Sequence, residues 1–170
     1  MAPPTRIANN DSPTTKRHIF LGGTCNGSKW RDDLILLLDP GRTTYFNPVV
    51  PDWTEAHQII ERRQREECDV CLYAITPRMV GVYSIAEAVD DSNKRPEKTV
   101  FCFLEVDDTR DDDNDEKNDT QKEKEVTNEC CRFNQQQVAS LNAVGKMIET
   151  NGGVWIRGGL KELAIYLNAL

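Results

Sequence analysis

Five short apolar runs, each followed by a stretch with helical spacing, constrain this chain more than any other feature. The runs are His18–Gly23, Thr43–Phe46, the segment through Val70, Leu72, Ala74 and Ile75, Thr99–Leu104, and Val154–Ile156. Runs so short and so continuously apolar suit strands buried on both faces of a parallel sheet. The intervening segments have the apolar spacing of amphipathic helices: Trp30–Leu38, a charged stretch from Thr54 to Glu67, one beginning near Ser84, Phe133–Ile148, and Leu160–Leu170. Asp39-Pro40-Gly41 and Asn151-Gly152-Gly153 supply the turn and stop signals between them.

The resulting order, βαβαβαβαβα, predicts one doubly wound α/β domain of flavodoxin or Rossmann type. It has a five-stranded parallel sheet with helices on both faces and right-handed crossovers. A 2-1-3-4-5 strand order places the topological switch between the first and third strands, and ligands of such sheets bind in the crevice at the carboxyl ends there. Gly22–Ser28 would line one side of that crevice and Met79–Glu87 the other.

Two weak signals therefore fall on one place. Gly22 and Gly23, followed by Thr24 and Asn26, allow a backbone to come close to a ligand, although an ordinary strand-to-helix turn explains them as well. In the second loop, Thr76-Pro77-Arg78 ends the third strand and Ser84 is placed to cap the next helix. Ser84-Ile85-Ala86-Glu87 fits a capping box, so Glu87 has a purely structural reading beside a chemical one. A third loop at a carboxyl strand end, Asn47 to Trp53, brings Asn47, Asp52 and an aromatic side chain to the same edge.

Charge and cysteine usage narrow the classes. From Glu105 to Glu125 the 170-residue chain carries eleven acids and four bases, an imbalance equal to its whole net charge of −7. The rest is nearly neutral, with no basic patch for duplex nucleic acid. Residues 106–125 are too polar to bury a core and read as a solvated insertion, with an acidic interaction segment as the alternative. Met1–Lys16 lacks an apolar core of its own and reads as a flexible leader to a domain spanning 17–170, with no signal peptide. No run approaches 18 apolar residues, so no membrane association is expected and the cytoplasm is the default location. The six cysteines read as reduced thiols; Cys68-Asp69-Val70-Cys71 has no second pair and only His18 and His57 to help it, so neither a metal nor a cofactor is expected.

The segments IFLGGTCNGSKWRDDL, YFNPVVPDWT and CDVCLYAITPRMVGVYSIAEAVDDSNKRPEKTVFCFLE together resemble the nucleoside 2-deoxyribosyltransferase family, and more closely its deoxyribosyltransferase-like branch. The resemblance covers Ile19 to Leu104. It implies a glutamate nucleophile, matching Glu87, that attacks C1′ of a 2′-deoxynucleoside or deoxynucleotide, expels the base and passes the sugar to a second base or to water. It also implies an acid on the preceding helix that handles the proton on the base, best matched by Glu61. Substrate contacts would come from Gly22, Gly23, Thr24, Asn26, Asn47, Asp52, Trp53, Met79 and Ser84, and a neighbouring subunit would complete the site in a homo-oligomer. Two positions depart from the pattern: Phe20 stands where the family has a tyrosine, and Gly81 where it has an aspartate. A nucleotide-binding module without catalysis is the alternative on the same scaffold.

Overall fold

The computed structural model describes residues 15–25, 27–52, 54–107 and 132–170. The expectations for the leader (1–14), for Asn26, Trp53, Cys130 and Cys131, and for most of the acidic segment (108–125) lie outside them. Five strands, β1 (Arg17–Gly23), β2 (Thr43–Phe46), β3 (Val70–Ile75), β4 (Thr99–Phe103) and β5 (Val154–Ile156), form one sheet in the order β2-β1-β3-β4-β5. Every pairing is parallel, and the central one aligns Ile19 with Val70 and Gly23 with Ala74. The helices are α1 (Trp30–Leu37), α2 (Glu55–Glu67), α3 (Tyr83–Lys94), α4 (Gln135–Thr150) and α5 (Leu160–Ala169), with a 3₁₀ turn at Pro96–Lys98. The doubly wound topology expected from the alternation is the observed one.

Strand alternation divides the buried side chains between two cores. Ile19, Leu21, Leu72, Ala74, Val100 and Cys102 face α1 and α5, meeting Trp30, Leu34, Leu163 and Leu167. Phe20, Cys71, Tyr73, Ile75, Phe101 and Phe103 face the other way, against Ala88 of α3 and Leu141 and Ile148 of α4. Both faces of the central strands are thus covered, which is why β3 reads as an unbroken apolar run. Where aromatic rings fill the layer, glycine makes room: a Cβ on Gly145 would lie 2.3 Å from the Trp155 ring.

The ends of the elements show where local patterns held and where they yielded. Asn134 caps α4, its side chain accepting from Gln137 N while Gln137 reaches back to the Asn134 amide. Thr54 and His57 close the start of α2 in a similar way. The capping box expected at Ser84 is not formed. Helix α3 begins two residues earlier, with Val82 at the cap position, and the Ser84 hydroxyl donates instead to Gly23 O at 3.3 Å. The acidic segment leaves and re-enters beside one point: Val106 pairs with Arg132 in an isolated antiparallel bridge, and Phe133 N donates to Glu105 O.

Candidate active site

The first and third strands end together, and side chains lock their loops to each other. Thr24 N donates to Ala74 O at 3.0 Å, and Thr76 N donates to the Thr24 hydroxyl at 2.9 Å. The Thr76 hydroxyl reaches Ser28 Oγ at 3.3 Å, and Ser84 closes onto Gly23 as above. The two loops expected to face one another across the switch point do meet. Their glycines, however, make room for protein. Gly23 has φ +125°, and a Cβ there would stand 1.9 Å from Ala74 O; a Cβ on Gly22 would stand 2.7 Å from the Phe20 ring and 2.9 Å from the Tyr73 ring. Sheet pairing and aromatic packing account for both glycines.

Arg31, which the sequence reading passed over, lies buried under this junction. Its guanidinium donates to Leu21 O, Gly23 O and Thr24 O at 2.9, 3.1 and 2.6 Å, closing carbonyls that the strand end leaves without ladder partners. The indole of Trp30 adds a bond to Thr24 O. Burial pulls the Arg31 guanidinium below its ordinary range, opposed by Cys25, Glu61 and Asp32.

Glu87 projects from the second turn of α3 and is only 7% exposed. Its Oε1 accepts from Arg65 Nη1 at 2.6 Å. The same guanidinium forks onto Asp91, Nη2 to Oδ1 at 2.6 Å and Nε to Oδ2 at 3.0 Å. Asp91 is fully buried and accepts two more bonds, from the Tyr73 phenol at 2.5 Å and from Arg95 Nε at 2.9 Å. The charged stretch of α2 reads from sequence as a mostly solvated face with internal pairs, but Arg65 is turned inward because two acids of α3 need a cation. Burial pushes the Glu87 carboxyl up to about 7; Arg65 opposes that rise, while Glu61 and Asp91 add to it. Burial also acts to raise Asp91, yet the hydrogen bonds from Arg65 and Tyr73 outweigh it and hold that carboxyl below its usual range.

Among the described residues, Gln58, Glu61, Arg62, Arg65, Tyr83 and Glu87 line a cleft of about 20 Å³. That is room for a single water. The two acids assigned by resemblance therefore share one small cavity. Asn47 is exposed, its Oδ1 accepting from Val49 N in a local turn, and Asp52 is exposed as well; neither lines the cleft. Met79 is half-buried against the aromatic core. Phe20 stacks on Phe46, with ring centroids 6.1 Å apart, and the phenol of Tyr73, on the adjacent strand, donates to Asp91. A much larger cavity, about 940 Å³, opens at the carboxyl ends of β4 and β5, lined by Trp30, Phe103, Trp155 and Leu160 among others and not by Glu87. Among the described residues no group of three or more His, Cys, Asp or Glu is arranged to hold a metal ion, and no helix is long and apolar enough to cross a membrane.

Residues 16–106 match the family described as nucleoside 2-deoxyribosyltransferase like. The chain belongs to this nucleoside 2-deoxyribosyltransferase-like family. The matched span runs from β1 past β4 and contains both loops of the switch point together with Glu61, Arg65, Tyr73, Glu87 and Asp91. A comparison with curated proteins gives no match.

Arg65, Tyr73 and Asp91 were not assigned to the site by the sequence reading, although a signal for two of them exists. Asp91 lies four residues after Glu87 and three after Ala88, on the face that α3 buries. An acid on a buried helical face requires a cation. Arg65 lies three residues before the buried Cys68, which turns the same side of α2 inward.

Proposed function

We propose that the protein breaks the N-glycosidic bond of a 2′-deoxynucleoside or deoxynucleotide, with Glu87 as the nucleophile and Glu61 as the proton carrier for the base. The observation that carries this reading is the pairing of these acids: a nearly buried carboxylate, held at one oxygen, shares a small cleft with a second acid inside the family match. The carboxylate attacks C1′ through an oxocarbenium-like transition state, and the base departs with a proton. Water or a second base then releases the sugar. The absence of a 2′-hydroxyl eases formation of the cationic centre. With its carboxyl near 7, Glu87 becomes more nucleophilic as pH rises through neutrality, so the rate falls on the acid side.

A nucleoside needs more space than one water. The outer side of the cleft carries Tyr83, 62% exposed at the start of α3, and the β3–α3 loop before it is open, with Val80 87% exposed and nothing within 4 Å of a Cβ built on Gly81. The small cleft also favours a second reading, in which the Arg65–Glu87 pair is structural and the protein binds a nucleotide without cleaving it.

Liquid chromatography of deoxynucleosides and their 5′-monophosphates incubated with the protein separates the two. The catalytic reading expects free base from wild type and a loss of several orders of magnitude in Glu87→Gln, with binding retained, because the amide still accepts from Arg65 but cannot form the ester. Undiminished turnover by the Gln variant removes the nucleophile assignment. No base release by wild type, with a ligand-dependent rise in melting temperature, establishes the binding module.

A further inference from the structure

We propose that Arg65 is the positioning residue for the Glu87 carboxylate: it holds Oε1 through both halves of the reaction, leaves Oε2 to bond the sugar, and is itself fixed by Asp91. The proposal rests on the reading of Glu87 as nucleophile.

The geometry is that of a clamped fork. Two nitrogens of Arg65 engage the two oxygens of Asp91, which leaves Nη1 for Glu87 Oε1. Asp91 cannot swing away, since Tyr73 and Arg95 hold the same two oxygens from β3 and from one turn further along α3. Asp91 Oδ1 takes Arg65 Nη2 and Arg95 Nε, and Oδ2 takes Arg65 Nε and the Tyr73 phenol, so each oxygen has two donors. The Arg65 guanidinium also lies 5.9 Å from the centroid of the Tyr73 ring. A planar cation with this many fixed contacts presents Nη1 from one direction only.

Chemistry follows from which oxygen is held. In the first step a lone pair of Oε2 forms the C1′–Oε2 bond, the C1′–N bond breaks, and its pair leaves with the base, which takes up a proton. Oε1 becomes the carbonyl oxygen of the ester and keeps its bond from Arg65. In the second step water or another base attacks C1′ and gives up a proton to Glu61, which lost one to the departing base, and the C1′–Oε2 pair returns to the carboxylate. The returning charge is shared with Oε1, where the guanidinium already stands, so no reorganisation is needed when it develops. Glu87 is faced by Arg65, Glu61 and Arg62 from α2, by Asp91 from its own helix, and by Tyr83 at the cleft, with Tyr73 of β3 behind Asp91. Of these, Arg65 is the cation bonded to it.

The test compares wild type with Arg65→Lys and Arg65→Ala. Base release is followed over pH from 2′-deoxyadenosine, 2′-deoxyguanosine, 2′-deoxycytidine and thymidine and from their 5′-monophosphates. The expected result for Arg65→Ala is a fall in kcat of about a hundredfold or more with little change in KM. Its acid limb should move upward, because burial of Glu87 is no longer opposed, and millimolar guanidinium should restore part of the rate and return the limb. Lys cannot bridge both carboxylates, so Arg65→Lys should show the same loss in kcat with a smaller displacement of the limb. If Arg65→Ala does not fold, Arg65→Lys carries the test through its kcat. Folded Arg65 variants that keep kcat and the wild-type limb overturn the proposal while leaving Glu87 in place. Absence of wild-type turnover, or undiminished turnover in Glu87→Gln, overturns the nucleophile reading and the proposal with it.

Discussion

Asp91→Ala tests whether the buried ion cluster supports the fold as the geometry requires. The carboxylate is inaccessible to solvent and accepts four hydrogen bonds, from Arg65 twice, from Arg95 and from Tyr73. Its removal leaves the Arg65 side chain, only 9% exposed, with Glu87 at 2.6 Å and the more exposed Asp90 at 4.0 Å as its remaining ion-pair partners, and leaves the Tyr73 phenol without its acceptor. Breaking one side of a buried pair costs about 3–5 kcal/mol, because the other charge stays desolvated. In a chain of this size each kcal/mol moves Tm by about 2–4 °C, so a drop of about 6–20 °C is expected. Against a total stability of about 5–15 kcal/mol that is a large share. The decisive control is the double variant Arg65→Met/Asp91→Leu, which removes the stranded guanidinium and keeps apolar volume; it should recover part of the loss, the remainder reflecting the Glu87 carboxyl and the Tyr73 phenol left without partners. Circular dichroism melts and urea titrations read both quantities. A fall of under about 3 °C in Asp91→Ala, or a double variant no better than the single, would refute the buried-pair argument.

The switch-point glycines and the acid range give two further predictions. Gly23→Ala should cost more than about 4 kcal/mol, since its Cβ meets the Ala74 carbonyl in the sheet, whereas Gly27→Ala, at φ +72° with open space around it, should cost about 1–2 kcal/mol; urea midpoints of the two compare them directly. Folded Glu87 has its carboxyl near 7 against an ordinary 4.5, so it binds more protons than the unfolded chain between those values and its contribution to stability grows as pH falls from 7 to 4.5. Asp91 acts in the opposite sense: its contribution is present above the ordinary 3.8 and is lost as pH falls below it through the depressed folded value. Melting temperature against pH should show the first component in wild type but not in Glu87→Gln, and identical profiles would contradict the burial of a titrating carboxyl.

Much of the architecture was legible because strand and helix periods are local properties. Short continuous apolar runs alternating with stretches of helical spacing, with turn residues between them, determine five strands and the helices joining them. Parallel pairing with right-handed crossovers then leaves few orders, and the observed one places the β1 and β3 loops together. That juxtaposition, together with the resemblance around Ser84-Ile85-Ala86-Glu87, was enough to single out Glu87.

Tertiary structure decided what those residues do. Ser84 and Glu87 have the spacing of a capping box, and an isolated segment offers them only each other's backbone. In the folded chain Ser84 finds Gly23 O and Glu87 finds a guanidinium from another helix, both better partners in a dry environment. Gly23 reads as an approach for a ligand until β3 is laid beside it and its carbonyl fills the space. The turn of Arg65 inward depends on how α2 and α3 rest against the same sheet, a relation between residues 22 and 26 positions apart. Periodicity assigns a charged side chain to a helix face but not to a partner on another helix. The energy that settles the pairing, desolvation set against a few short charged hydrogen bonds, exists only once the layers have closed.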